Sequence, residues 1–153
     1  MRKIRFAQAS VSMIHANSYR DTLMLLPDEV ELVGFYDPDP DSVRKNIKAD
    51  AQHVPFYPSL AALLEEAKPD VVMVSTYLKD MPNWMLQVAE AGVNVWADKP
   101  FAIHSSELLP VAEAVKRNNL HFSCGYTWRF HPISQLIKES YDAGLLGKPY
   151  SIE

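Results

Sequence analysis

Apolar residues recur along this chain in two alternating rhythms. Short β-branched or aromatic runs read as strands at residues 4–9, 30–36, 54–57, 71–75, 93–97 and 120–125. Stretches with apolar residues three or four apart read as helices between them. Residues 12–26 carry Met13, Ile14, Ala16, Leu23 and Leu26 at that spacing. Residues 39–49 form a polar helix, with Asp39 as cap and Pro40 in the first turn, where a missing N–H does no harm. Ser59 caps a helix to residue 67, with Leu60, Leu63 and Leu64 inward and Glu65 and Glu66 outward; Pro69 stops it. Residues 82–91 form a helix closed by Gly92, a residue at ease in a left-handed turn. Ser105 or Ser106 caps a helix ending on Lys116 and Arg117, whose charges suit the negative end of the helix dipole; Pro110 is placed to kink it. Residues 132–141 form the last helix, ended by Asp142-Ala143-Gly144.

Strands alternating with helices predict an α/β fold: a doubly wound, mostly parallel sheet in a three-layer αβα arrangement. The run Val71-Val72-Met73-Val74 is apolar throughout, as a parallel strand covered on both faces must be. The tail Lys148-Pro149-Tyr150-Ser151-Ile152-Glu153 reads as a strand just begun. The expected organisation is a nucleotide-binding unit over residues 1–130. Residues 131–153 then form a linking helix and the start of a C-terminal domain, the natural chain continuing beyond.

Composition narrows the partners. A formal net charge of -4 with interleaved signs, and no basic stripe, argues against nucleic acid. No apolar run is long enough to span a membrane. Met1-Arg2-Lys3 has the charge of a signal peptide, but Arg5, Gln8, Ser10, Ser12 and His15 break any apolar core after it. The single cysteine, Cys124, excludes an internal disulfide framework and suits the reducing cytoplasm. No His, Cys or carboxylate spacing suggests a metal site.

Three places carry candidate chemistry. The turn after the first strand is where a dinucleotide's diphosphate sits, on the N-terminus of the first helix. The usual G-x-G-x-x-G is here Ala7-Gln8-Ala9-Ser10-Val11-Ser12. The glycines are replaced by small residues, and Ala9 puts a methyl where phosphate approaches the backbone. Val11 lies within the turn, and Ser10 and Ser12 offer hydroxyl donors. Asp37 ends the second strand, where an acidic residue would accept from the adenosine ribose hydroxyls and repel a 2′-phosphate, favouring NAD over NADP. With Pro38-Asp39-Pro40 it reads equally as turn chemistry. Asp98-Lys99-Pro100 follows the fifth strand; Lys99 is suited to a hydroxyl or developing alkoxide, or to a salt bridge with Asp98.

Ala91-Gly92-Val93-Asn94-Val95-Trp96-Ala97-Asp98-Lys99-Pro100 is similar to the A-G-K-H-V-x-x-E-K-P of the Gfo/Idh/MocA family (glucose–fructose oxidoreductase, inositol dehydrogenase, MocA). His15-Ala16, the run from Glu31 to Asp37, Tyr57-Pro58-Ser59-Leu60, the run from Gly125 to Pro132 and Gly144-Leu145-Leu146-Gly147-Lys148-Pro149 follow in the family's order. The resemblance implies a Rossmann domain, followed in that family by a second domain holding most of the substrate site. It implies NAD as cofactor and a sugar, cyclitol or similar polyol as substrate. Lys99 matches the lysine beside the nicotinamide and the reacting hydroxyl, and Asp98 shortens the usual glutamate by one methylene. Arg129 matches an arginine on the substrate side, with an ion pair to the sheet as the other reading. Thr76 and Tyr77 stand in a loop bordering the cofactor, where Met81 replaces a frequent histidine. Tyr77 and Trp84 read as packing more than as adenine contacts, and His15 and His131 as structural. The rivals are a non-enzymatic regulatory module with a disabled loop, and a homodimer formed through exposed apolar surface.

Overall fold

The computed structural model describes residues 2–149 and 151. The strands are β1 (Ile4–Ala9), β2 (Val30–Tyr36), β3 (Val71–Val74), β4 (Asn94–Ala97) and β5 (Phe122–Cys124). They form one sheet in the order β2-β1-β3-β4-β5, with every pairing parallel. The helices are α1 (Ile14–Leu23), α2 (Pro40–Asn46), α3 (Leu60–Ala67), α4 (Met81–Glu90), α5 (Leu109–Arg117) and α6 (Pro132–Asp142). This is the expected α/β doubly wound sheet. Chain order reverses direction between β1 and β3, so their carboxyl ends splay and leave a crevice there.

Two apolar layers sandwich the sheet. Ala7, Ala9, Val72, Val74, Val95 and Ala97 on one face meet Leu63 of α3, Met85 and Val88 of α4, and Val111 and Ala114 of α5. Phe6, Leu32 and Phe35 on the other meet Val11, Ala51 and Val54, with Leu23 of α1 packed alongside. At about 25 cal/mol per Å² of apolar area removed from water, these layers supply the main folding drive.

Local signals explain most helix ends. Ser59 accepts from the Ala62 N–H, capping α3, and Lys68 takes the left-handed conformation before Pro69. Gly92 does the same after α4, at φ 76. Pro110 breaks the expected fifth helix rather than kinking it: a 3-10 turn, Ser105–Leu108, precedes α5, and the proline lies in its first turn. α1 is shorter at both ends than its apolar spacing suggested.

Among the described residues five strands form, not six. Residues 54–57 contribute one parallel bridge, Phe35 to Phe56, through the Phe35 N–H to Pro55 O and the Tyr57 N–H to Phe35 O. Pro55 and Pro58 have no N–H, so no ladder can extend there. The strand expected at the tail falls partly on Tyr150, Ile152 and Glu153, outside the described residues; Lys148, Pro149 and Ser151 are in no strand.

Charge is buried where donors and acceptors converge. Arg20 of α1 is 1% exposed and bonds Asp21, the Asn17 side chain and the Asn46 carbonyl. At the amino edge of the sheet Asp70 accepts two guanidinium N–H groups of Arg2 and the Arg5 backbone N–H. The Arg2 hydrogen bond is the main reason its carboxyl is held below the ordinary value, against an opposing push from burial. A carboxyl harder to protonate when folded stabilises the fold above about pH 4, and that contribution fades as pH falls through the folded value. The melting temperature is therefore expected to hold above about pH 5 and to fall in acid. Asp70→Asn should shallow that acid slope, as read from thermal melts across pH 3 to 6; an unchanged slope would contradict the assignment.

Candidate functional site

β1 ends in a turn built on non-glycine residues. Ala7 and Ala9 are fully buried beneath it, and Ser10 carries the left-handed backbone at φ 71 that glycine usually supplies. Gln8 Nε2 donates to the Ser10 carbonyl, while its Oε1 is buried with no partner among the described residues. The turn wraps around Asp37. Asp37 Oδ2 accepts from Ser10 Oγ at 3.0 Å, the Val11 N–H at 2.8 Å and Ser12 Oγ at 2.8 Å. Its Oδ1 accepts from the Asp39 N–H at 2.9 Å, the turn contact read from the sequence. A carboxylate offers about two acceptor directions on each oxygen, so the three donors on Oδ2 saturate it while Oδ1 takes one. Asp37 is 3% exposed. Because the Ser12 proton goes to Asp37, the 2.8 Å contact between Ser12 and Ser42 runs from Ser42 as donor, tying α2 to the turn.

Beside this turn the crevice opens at the carboxyl ends of β1, β3 and β4. It holds about 520 Å³ and is lined by Ser12, His15, Thr76, Tyr77, Asp98 and Lys99, among others. Five of the residues expected to serve the cofactor or the reaction, Ser12, Thr76, Tyr77, Asp98 and Lys99, thus share one cleft. No side chain caps the first turn of α1, which starts at its edge. A larger hollow, about 910 Å³, lies at the amino ends of the strands. Two of the cations around it are already paired, Arg2 with Asp70 and Arg5 with Glu31.

Asp98 is the hub of the crevice wall. At 7% exposure it accepts the Ser75 hydroxyl at 2.9 Å and the Lys99 backbone N–H at 2.7 Å. Its Oδ2 lies 3.4 Å from Nδ1 of His15, and Tyr19 Oη reaches its Oδ1 at 3.5 Å. The same phenol donates to the Gly125 carbonyl at 3.1 Å, so α1 is bolted to the ends of β3, β4 and β5. A Cβ on Gly125 would stand 2.8 Å from that hydroxyl, so this approach requires glycine. Burial raises the Tyr19 phenol and the Asp98 charge adds to it; burial likewise pushes the Cys124 thiol up. Asp98 therefore meets Lys99 through its backbone, leaving the exposed ammonium out of that contact.

Other singled-out residues lie elsewhere. Arg129 is exposed on the 3-10 turn Thr127–Phe130 and has no ion pair among the described residues. Trp84 packs on the Tyr36 ring, with centroids 5.1 Å apart. His131 accepts the Ile133 N–H at 3.2 Å and caps α6. His15, read from the sequence as structural, lines the crevice. Its signal was its place three residues beyond Ser12, in the first turn of α1, which the fold brings against Asp98.

Residues 9–126 match the Gfo/Idh/MocA oxidoreductases, described as NAD-binding with a Rossmann fold, and the chain belongs to that family. It is 25% identical over 123 residues to the rhizopine catabolism protein MocA of Rhizobium meliloti, matching 80% of this chain and 38% of that protein. It is 29% identical over 87 residues to the scyllo-inositol 2-dehydrogenase (NAD(+)) of Bacillus subtilis, matching 57% of this chain and 25% of that enzyme. The WlbA dehydrogenase of Chromobacterium violaceum, solved with NADH and UDP-GlcNAcA, superposes with a TM-score of 0.87 at 25% identity, over 96% of this chain and 42% of that one. The chain thus spans less than half the length of these relatives. No helix among the described residues is long and apolar enough to cross a membrane.

Proposed function

We propose that this chain seats NAD in the crevice and serves as the dinucleotide-binding part of an oxidoreductase acting on a secondary hydroxyl of a sugar, cyclitol or similar polyol. The observation that carries the reading is the convergence of Ser12, Thr76, Tyr77, Asp98 and Lys99 at the switch point of the sheet, beside the uncapped N-terminus of α1. The residues fit the cofactor: the helix end suits a diphosphate, and the cleft is open enough for a ribose and a flat ring. Bound there, NAD supplies the hydride acceptor.

The chain's own side chains do the rest. The uncapped amides of α1 hold the diphosphate. Thr76 and Tyr77 border the ring side. Asp98 fixes the backbone ahead of Lys99, and Lys99 orients the substrate hydroxyl through Nζ and helps pass on its proton. Asp37 takes an adenosine ribose hydroxyl in exchange for one serine hydroxyl of its own turn, and its charge opposes a 2′-phosphate. Arg129 stands ready for the substrate side, in a part of the protein that a further domain completes. α6 meets the rest chiefly through the turn before it, which supports a boundary near residue 130. Its exposed Ile133, Leu136, Ile137 and Tyr141 are compatible with a homodimer, and the lone thiol Cys124 with a cytoplasmic setting. A regulatory module that has lost its cofactor is the disfavoured reading, because Lys99 still lines the cleft and the family is one of oxidoreductases.

Titration with NADH, watching energy transfer from the tryptophans, tests this reading. Saturable transfer is expected, with NADPH weaker by about tenfold or more, equal to about 1.4 kcal/mol. Silence toward both at millimolar concentration would overturn it.

A further inference from the structure

We propose that His15 is a hydrogen-bonding contact for the cofactor's diphosphate, standing beside Asp98; this rests on the reading of the crevice as an NAD site. The turn after β1 directs its donors elsewhere. Ser10 Oγ, the Val11 N–H and Ser12 Oγ all end on Asp37 Oδ2. In a glycine turn, such groups face the phosphates. What remains for an anion beside α1 is the uncapped first turn, Lys99 and His15, and Lys99 is committed to the reacting hydroxyl.

His15 is built for the task. It occupies the second position of α1, next to the positive end of the helix. Asp98 Oδ2 lies 3.4 Å from Nδ1, and the Tyr19 ring backs the imidazole with centroids 6.3 Å apart. Those two neighbours flank the ring. Nε2 has no partner among the described residues, and the side chain is 49% exposed on the crevice. An Nε2–H donated to a diphosphate oxygen makes a charge-assisted bond, with more strength than a neutral one. The titratable and charged groups facing it are Asp98 and Lys99 at the end of β4, Tyr19 on α1 and Tyr77 after β3, with Cys124 behind Asp98.

His15→Gln should weaken NADH about tenfold, the scale of one charge-assisted hydrogen bond, leaving adenosine, which has no phosphate, bound as before. A His15→Gln variant that binds NADH as tightly as the wild type, or an equal loss of adenosine, would overturn the inference. Inorganic pyrophosphate gives an independent arm: its addition should shift the His15 ring resonance by NMR. No shift would overturn the role of His15. A shift without NADH binding would keep His15 as an anion contact and sink the NAD reading instead.

Discussion

Asp37→Ala is expected to destabilise the chain by about 3 kcal/mol, enough to lower its melting temperature by roughly 10 °C. The carboxylate is the acceptor on which three donors of the turn after β1 converge, and it gathers them out of water. Removing it leaves the Val11 N–H and the Ser10 hydroxyl unpaired in residues that are themselves buried, and each such orphan costs about 1 to 3 kcal/mol. It also frees the Asp39 N–H at the start of the segment leading to α2. Part of the loss is offset, because a buried charge no longer needs solvation by protein dipoles. Asp37→Asn should fall between, since the amide keeps one accepting oxygen and sets its NH2 against groups that are donors. Thermal melts of the three proteins decide the matter; an alanine variant melting within about 2 °C of the wild type would mean the turn holds itself.

Lys99→Ala should act on chemistry and hardly on the fold. The lysine is exposed, and only its backbone N–H joins the Asp98 hub, so the variant keeps that bond and should melt within about 0.5 kcal/mol of the wild type. In the reaction proposed above, kcat is expected to fall by about 10²- to 10⁴-fold, the usual worth of a positioned proton-handling group. The NADH dissociation constant should move by less than about threefold, because the lysine is directed to the substrate hydroxyl rather than to the diphosphate. A kcat within about threefold of the wild type would remove Lys99 from the reaction.

Much of the architecture is written in the apolar rhythm. β3 is readable from Val71 to Val74 because a strand covered on both faces has no polar side to show. Its neighbours β1 and β4, and β2 beyond β1, share that property in part, and parallel pairing then forces their carboxyl ends onto one edge. That is why Ser12, Asp98 and Lys99, scattered over nearly ninety positions of chain, come to one crevice; Thr76 and Tyr77 were added only by the family resemblance. Residues 54–57 misled because Val54, Phe56 and Tyr57 have strand character, whereas the prolines beside them withhold the donors a ladder needs.

What stayed hidden depends on three-dimensional closure. The sequence offers Asp37 as a ribose acceptor or a turn former, but not as the acceptor for three donors of another turn. That requires Ser10 in a left-handed conformation, which small-residue spacing alone does not announce. Arg20 looks like a polar-face residue until α1, Asn17 and the end of α2 enclose it. His15 shows no ligand partner along the chain; Asp98 reaches it only because α1 packs over the end of β4 through Tyr19.

A crystal structure of the chain grown with NADH tests the central claim most directly. The account predicts diphosphate oxygens within about 3.5 Å of the first-turn amides of α1, with the nicotinamide directed toward Lys99. Dinucleotide density in the hollow at the amino ends of the strands, with the cleft beside Asp98 left to solvent, would contradict it.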